Sequence, residues 1–345
     1  MVRLAVVGAG IMGGHHARVA RSTPGVELTM VVDHDEDKGR KLASHVGAAY
    51  APSVDALPGK VDAAIVSVPT DAHAEIGTLL LEFGLDVLIE KPIAATVEEA
   101  KGLVEAAESA GRILMIGHVE RFNPAVIELC RHVDGLIHID VRRVGPFTPR
   151  IPTGVALDLM IHDVDLVCSL AGGQPEQIAS VTRQLRSETE DLATCILTFP
   201  SGVSAVLTAS RVSQSKQRQI ELIQRDNVVV ADLIRQQVTV HRVAHSEYVD
   251  ERGSMYRQSG VIEIPYLEQQ GEPLALEQKH FVECILERTL PVVGGEEGLA
   301  ALDTAIRIRD EAVSVSITEG AGQAMTSTSR RNSCDGAIQV AGLRV

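Results

Sequence analysis

The stretch "RLAVVGAGIMGG", residues 3–14, decides the fold of the first part of the chain. An apolar run ends in glycines and a segment with helical spacing follows, as in a buried strand that turns directly into a helix. Gly8, Gly10 and Gly13 form the pattern G-x-G-x-x-G. The first glycine permits a tight turn, the second lets the backbone approach a pyrophosphate, and the third allows the helix to pack closely on the strand. The stretch therefore predicts a dinucleotide-binding unit.

Further apolar runs follow before residue 118, and helical patterns separate them. Continuously apolar strands that alternate with single helices indicate a parallel sheet covered on both faces. We therefore predict an α/β domain at residues 1–119, a doubly wound Rossmann fold. The runs are "VELTMVVD" (26–33), "DAAIVSVP" (62–69), "DVLIEKP" (86–92) and "RILMIGH" (112–118).

After residue 120 apolar and polar residues alternate in part, as in "LIHIDVRRV" (136–144). "PSG" (200–202) and "RDN" (225–227) have the composition of hairpin turns. This pattern predicts an α+β domain at residues 120–319 with a predominantly antiparallel sheet that buries one face.

The end of the chain divides into two helices and a tail. Helical spacing predicts closing helices near residues 273–288 and 296–317. Residues 320–345 have little apolar periodicity, so we predict a flexible tail there.

Composition restricts the classes of partner. The formal net charge of −14 argues against electrostatic binding to nucleic acid or to an anionic membrane. No apolar run is long enough to span a bilayer and no signal-peptide pattern is present, so we expect a cytoplasmic protein. The five cysteines are scattered and odd in number, which favours reduced thiols over a disulfide framework or a zinc site.

The residue after the second strand indicates which dinucleotide binds. Asp33 lies 20 residues beyond Gly13, where a carboxylate accepts hydrogen bonds from the adenosine ribose and repels a 2'-phosphate. The next residue is His34 and not arginine, so the sequence favours NAD over NADP, although Lys38 and Arg40 leave NADP open. The cofactor residues expected here are Gly8, Gly10, Ile11, Met12, Gly13 and Asp33.

A second stretch, "LDLMIHDVDL" at residues 157–166, carries charges within an apolar run. At about 100° per residue, helical spacing places Asp158, His162 and Asp165 on a strip roughly 60° wide. Charges against an apolar face are costly unless they are paired or used. His162 has the side chain of a general base. A core histidine, surface or inter-domain roles for Asp163 and Asp165, and a divalent metal site stay open at this point, although we expect no metal.

Three further segments carry a family resemblance. "SVPTDAHAE" (67–75), "EKPIAAT" (90–96) and "GVALDLMIHDVDL" (154–166) resemble the glucose-fructose oxidoreductase, inositol dehydrogenase and rhizopine-catabolism (Gfo/Idh/MocA) family. The resemblance implies an N-terminal Rossmann domain, a C-terminal domain with a large open sheet, and NAD(P)-linked oxidation of a secondary alcohol on a sugar or cyclitol ring. It also implies a homo-oligomer, a dimer or a tetramer, that forms through the second sheet.

The resemblance implies site residues as well. Lys91 and His162 are expected to be catalytic, and Asp158 is expected to orient the substrate. The Lys91–Pro92 region is expected to form an unusual turn, in which a cis bond can occur. The further cofactor residues that the resemblance implies are Pro69, Thr70, His73, Glu90 and Lys91, with His16 close to them.

The segment "GHVERFNPAV", residues 117–126, bears on the substrate. Arg121 suits a phosphate or carboxylate, and Asn123 suits ring hydroxyls or an amide. The segment is similar to that of family members that oxidise the C3 hydroxyl of UDP-N-acetylglucosamine. Alternatively, Arg121 pairs only with Glu120 or an inter-domain carboxylate.

Two other functions stay open. The chain has no tryptophan, four tyrosines and five phenylalanines, so few aromatic rings are available to stack on uracil. A free sugar or myo-inositol is therefore an alternative substrate. A non-catalytic, NAD-binding regulatory protein is the second alternative, and intact Lys91, Asp158 and His162 argue against it.

Overall fold

The computed structural model describes residues 1–147, 153–249 and 252–314, and the predicted tail at 320–345 lies outside them. The first part of the chain forms a six-stranded parallel sheet in the order β3-β2-β1-β4-β5-β6, which confirms the predicted Rossmann topology. Its strands are β1 (Val2–Val7), β2 (Val26–Val32), β3 (Ala49–Ala51), β4 (Ala63–Val66), β5 (Asp86–Glu90) and β6 (Leu114–Gly117).

Helices with local start and stop signals connect these strands. The Thr96 side chain accepts from the Glu99 N–H and the Glu99 side chain reciprocates, so one helix begins with a capping box. The same helix ends at Gly111, which adopts the left-handed conformation. The connecting helices are α1 (Ile11–Ala20), α2 (Glu36–Val46), α3 (His73–Glu82) and α4 (Val97–Ala110).

The second part of the chain forms a nine-stranded sheet in the order β14-β13-β12-β11-β7-β10-β9-β8-β15. Its pairs are antiparallel except for β10 with β7 and β15 with β8. The strands are β7 (Leu136–Val144), β8 (Gln177–Arg183), β9 (Leu192–Thr198), β10 (Ser204–Ser210), β11 (Gln217–Gln224), β12 (Asn227–Asp232), β13 (Gln237–Val249), β14 (Met255–Glu263) and β15 (Val313–Ser314).

The two faces of this sheet differ. Inward-facing residues such as Ile139, Ile220 and Leu222 are fully buried, and the helices α5 (Pro124–Arg131) and α6 (Ile161–Ala171) cover them. On the opposite, open face Ile196 and Val181 are exposed. The alternation seen in the sequence therefore reflects one buried face, as predicted.

The closing helices α7 (Pro273–Glu287) and α8 (Gly295–Asp310) return to the first sheet. Phe281 of α7 and Leu302 of α8 belong to the hydrophobic core of the Rossmann sheet. The second helix was expected to continue to residue 317, which was wrong, because β15 begins at Val313 and pairs with β8. The hydrophobic core of the first sheet therefore includes residues that lie after the predicted domain boundary at residues 119–120.

Candidate active site

The glycine-rich loop follows β1 at the carboxyl end of the sheet. Gly8 has φ of +99°, which favours glycine, and its N–H donates to the Val32 carbonyl. A Cβ on Gly13 would lie 1.8 Å from the Gly8 carbonyl oxygen, so only glycine allows α1 to pack this closely on the loop. The predicted turn and packing roles of these two glycines are therefore present.

Asp33 lies beside this loop at the end of β2. Its carboxylate accepts the Ala9 N–H at 2.6 Å and the Asp35 N–H at 2.8 Å. Asp33 therefore fixes the glycine-rich loop in addition to its predicted contact with ribose. A cavity of about 700 Å³ is lined by Gly8, Gly10 and Asp33 and also by Pro69, at the start of the loop after β4.

The residues around this cavity fit NAD. No side chain caps the N-terminus of α1 at Gly10, so the first backbone N–H groups of the helix are available to a pyrophosphate. Ile11 and Met12, which begin α1, are 75% and 39% exposed, and such apolar side chains suit contact with a cofactor. Thr70 begins a 3₁₀ turn, Thr70–Ala72, directly after Pro69.

Lys91 and Asp158 meet between the two parts of the chain. The Lys91 ammonium donates to the Asp158 carbonyl at 2.8 Å and approaches the Asp158 carboxylate at 3.3 Å. Both side chains are about one-fifth exposed. The Lys91–Pro92 peptide is cis, a form that the sequence analysis allowed at this turn without predicting it. Lys91 has three N–H donors, so one is left for a bound substrate.

A π-helical turn, Ala156–Met160, precedes α6 and carries Asp158. The even 100° spacing assumed for this strip is therefore wrong, because a π turn holds an additional residue. Glu190 supports the turn: its carboxylate accepts the Ala156 N–H at 3.2 Å, and its carbonyl accepts the Val155 N–H. A Cβ on Gly154 would lie 2.0 Å from the Glu190 carboxylate.

His162 is the second residue of α6, the regular helix that follows this turn. Its ring is partly exposed, whereas its Nδ1 is buried without a hydrogen-bond partner in the described chain. Burial lowers the pKa of His162 well below 6.5, and the positive charges of Lys91 and Arg143 lower it further. His162 is therefore neutral near pH 7, as a general base must be.

His118 packs against His162 and was missed by sequence reasoning. The two rings meet edge to face with centroids 6.2 Å apart. His118 is buried, and neither of its ring nitrogens has a hydrogen-bond partner among the described residues. Its position directly after β6, next to the strand that leads to Lys91, was the available signal.

Asp163, the residue after His162, belongs to a buried network of charges. Both of its oxygens accept from the Arg143 Nε at 2.9 Å, and Arg143 also donates to Glu120 at 2.9 Å. Arg218 donates to the same Glu120 oxygen at 3.1 Å. A surface role for Asp163 is therefore wrong, because a buried carboxylate is retained here by a bidentate arginine.

Two stretches of the chain match the sequences of one family. Residues 2–118 match the oxidoreductase family with an NAD-binding Rossmann fold, and residues 136–228 match the Gfo/Idh/MocA C-terminal domain. The chain belongs to the Gfo/Idh/MocA family. The matched N-terminal domain is an NAD-binding Rossmann fold and the relatives are dehydrogenases, so the protein is an NAD-binding dehydrogenase.

Relatives in the Gfo/Idh/MocA family act on sugars and cyclitols. UDP-N-acetylglucosamine 3-dehydrogenase of Acidithiobacillus ferrooxidans is 29% identical, with 89% of this chain and 96% of that protein covered. Its solved structure has a TM-score of 0.83 at 28% identity, with 90% of this chain and 97% of that chain covered. The NAD-dependent scyllo-inositol 2-dehydrogenase of Bacillus subtilis is 27% identical, with 88% of this chain and 92% of that protein covered.

No helix in the described parts of the chain is long and apolar enough to cross a bilayer.

The two predicted substrate residues have other partners in this Gfo/Idh/MocA member. Arg121 donates to the Asp165 carboxylate at 2.6 and 2.9 Å and to Ser169, so a pairing with a carboxylate, as in the alternative interpretation, is present. Asp165 is buried, so of the surface and inter-domain roles left open for it, the surface role is excluded. Asn123 is the N-cap of α5, and its amide donates to Glu120 and to a backbone carbonyl. These contacts leave Asn123 no free donor for a substrate.

Two histidines expected beside the cofactor are buried. The His73 nitrogens contact the carbonyls of Pro92 and Val68, so His73 joins the loops after β5 and β4. His16 contacts the Glu90 carboxylate at 2.8 Å. Both histidines therefore hold cofactor-side loops in place instead of facing the cavity.

Glu90 is held by a chain of contacts that reaches α7. The Gln278 amide donates to the His16 carbonyl, so its NH₂ group faces His16 and also donates to Nδ1 at 3.0 Å. Because Nδ1 of His16 accepts from Gln278, Nε2 is the nitrogen that donates to Glu90. Burial acts to raise the pKa of Glu90, but the His16 hydrogen bond holds it below its ordinary value. Glu90, immediately before Lys91, is therefore an oriented carboxylate.

Proposed function

We propose that this dehydrogenase oxidises the C3 hydroxyl of UDP-N-acetylglucosamine with NAD. The observation that carries the proposal is the cluster of Lys91, Asp158 and His162 between the NAD-binding sheet and the inner face of the second sheet. Similarity along nearly the full chain to a UDP-N-acetylglucosamine 3-dehydrogenase supports this substrate.

His162 is the general base in this proposal. NAD, when bound, would supply the hydride acceptor, so the hydroxyl on the oxidised ring carbon would have to lose its proton to a base. The neutral imidazole of His162 takes that proton, because burial and the nearby cations lower its pKa and keep it unprotonated near pH 7.

Lys91 and Asp158 hold the reacting oxygen. Two contacts to Asp158 fix the Lys91 ammonium, and its remaining N–H donates to the substrate oxygen as negative charge develops there. The Asp158 carboxylate is partly exposed and can accept from a neighbouring ring hydroxyl. The Glu90 carboxylate, which contacts His16, directly precedes Lys91 in the chain and faces the cofactor in this proposal.

A free sugar or an inositol is the second candidate substrate. The similarity to a scyllo-inositol dehydrogenase favours it, as does the scarcity of aromatic side chains for a uracil ring. The cluster around Lys91 is chemically suited to any ring carrying neighbouring hydroxyls, so the two candidates are distinguished only by measuring which substrate the enzyme oxidises.

The test is the appearance of NADH absorbance when purified protein and NAD are given UDP-N-acetylglucosamine, UDP-glucose, myo-inositol and glucose separately. Oxidation of UDP-N-acetylglucosamine above the others supports the proposal, and the position of the ketone is then read by NMR. Preference for inositol or glucose transfers the assignment to the second candidate. NAD binding without turnover of any polyol leads instead to a regulatory role.

We also propose that copies of the chain associate through the open face of the second sheet, as a dimer or a tetramer. Val181, Ile196 and Ile223 lie on that face and are 41%, 52% and 36% exposed. Burying these side chains between copies is favourable. Light scattering tests this by measuring the molar mass of the assembly in solution. Ile196→Glu should form a smaller assembly than the wild type, and an assembly of equal size would place the contact elsewhere.

A further inference from the structure

Two arginines lie side by side on the inner face of the second sheet. Arg218 of β11 is directly opposite Arg143 of β7 in the antiparallel register. The inward-facing neighbours Val141, Ile220 and Leu222 are buried and apolar. Like charges opposite each other on a strand pair are destabilising, so both arginines need negative partners.

The available carboxylates satisfy Arg143 much better than Arg218. Arg143 takes both oxygens of Asp163 and one oxygen of Glu120. Arg218 makes one hydrogen bond, to that same Glu120 oxygen, and the other Glu120 oxygen accepts from Asn123. A guanidinium has five N–H donors, so the other donors of Arg218 have no hydrogen-bond partner among the described residues.

Arg218 is also the more accessible of the two arginines and lies near the proposed base. Its side chain is 35% exposed, against 4% for Arg143. Burial and the neighbouring Arg143 lower the pKa of Arg218, and the charge of Arg218 in turn lowers the pKa of His162. Arg218 lies opposite Arg143, and Arg143 binds Asp163, the residue that follows His162. The open end of Arg218 therefore lies in the region of the site.

We propose that Arg218 binds the diphosphate of a sugar-nucleotide substrate, an inference that rests on the proposed function. A planar guanidinium with several free donors matches two phosphate oxygens at once. An anion placed there also offsets the repulsion between Arg218 and Arg143. Recognition through the diphosphate needs no aromatic ring to stack on uracil, in agreement with the composition of the chain.

The test compares Arg218→Gln and Arg218→Lys with the wild type. Arg235→Gln is the matched control, because Arg235 lies after β12 and its side chain is 78% exposed. Calorimetry measures UDP binding to the NAD-loaded enzyme, and steady-state kinetics gives KM for UDP-N-acetylglucosamine and for NAD. Gln at position 218 removes a charge from a repulsive pair, so the fold should be kept, and thermal unfolding checks this.

We expect Arg218→Gln to weaken UDP binding and to raise KM for UDP-N-acetylglucosamine by about tenfold or more. KM for NAD should stay unchanged, and Arg218→Lys should lie between the wild type and Arg218→Gln. The control should match the wild type. Lys keeps the charge, so this variant gives a second reading if Arg218→Gln does not fold.

The failure of this inference and that of the proposed function are distinguishable. If UDP does not bind, or binds equally well to the wild type and both variants at position 218, the role of Arg218 is overturned even when UDP-N-acetylglucosamine is oxidised. If UDP binding depends on Arg218 but UDP-N-acetylglucosamine is not oxidised, the phosphate contact stands and the proposed reaction falls.

Discussion

Replacing Glu277 by glutamine should stabilise the protein increasingly as the pH rises. Glu277 lies on α7 with no exposed surface, and neither carboxylate oxygen has a hydrogen-bond partner in the described chain. Burial raises the pKa of Glu277 well above 4.5, and the carboxylate of Glu90 raises it further. The folded protein therefore keeps a proton on Glu277 that the unfolded chain releases.

The size of the effect follows from proton linkage. Above pH 4.5 and below the raised pKa, the folded state binds one more proton than the unfolded state at Glu277, so stability falls as the pH rises. The slope approaches about 1.4 kcal/mol per pH unit. For a chain of 345 residues this corresponds to about 2 °C in Tm per pH unit. Glutamine has the same shape and no proton to release, so its advantage over the wild type grows at that rate.

The assay is thermal and urea unfolding of the wild type and Glu277→Gln at pH 5, 6 and 7. Glu283→Gln is the control, because Glu283 lies on the same helix with an exposed side chain. Its difference from the wild type should change little with pH. A Glu277→Gln difference that stays constant from pH 5 to pH 7 would refute the reasoning, since it would mean that Glu277 has the same pKa in the folded and unfolded chain.

Four further changes test the site. His162→Ala should lower kcat by about 10²–10⁴-fold with NAD binding kept, and near-normal turnover would remove His162 from the mechanism. Activity of the wild type should fall only at acidic pH, where His162 is protonated. Lys91→Met removes a cation that lowers the pKa of His162, so the remaining activity of this variant should fall at a higher pH than that of the wild type. An unchanged pH profile would contradict the effect of Lys91 on the pKa of His162. Gly154→Ala should displace the Glu190 carboxylate and lower the free energy of unfolding by about 1 kcal/mol, measured with urea, whereas an unchanged stability would show that the hydrogen bond from Ala156 to Glu190 contributes little. Asp33→Ala should weaken NAD relative to NADP in binding titrations, and an unchanged preference would contradict its contact with ribose.

The Rossmann sheet and its nucleotide loop could be predicted because their signals are local. The spacing of Gly8, Gly10 and Gly13 reports a turn and a close packing contact within one β-α unit, and Asp33 ends the next strand. Lys91 and His162 are proposed as reactive residues because the short segments that contain them resemble those of the family. The structure brings Lys91 to Asp158, although 67 residues separate them.

The predictions were wrong where the role of a residue depends on partners that are far away in the sequence. Helical periodicity could not reveal the π turn at Asp158, because Glu190, which supports that turn, follows Ala156 by 34 residues. Asp163 has a helical position that also suits a surface charge, and Arg143 decides otherwise. Arg218 did leave a signal, since it shares the inward face of its strand with Ile220.

The sequence by itself determined the two sheets and the glycine-rich loop of the first one, because periodicity, glycine turns and helix caps act over a few residues. The reactive roles of Lys91 and His162 are proposals that rest on the family resemblance. Tertiary structure alone decided which charges are paired, which histidines face the site and which carboxylate is buried. Gln278 contacts His16 across 262 residues, and Arg218 contacts Glu120 across 98. Burial and charge pairing depend on which elements pack together in space, and no local pattern records that arrangement.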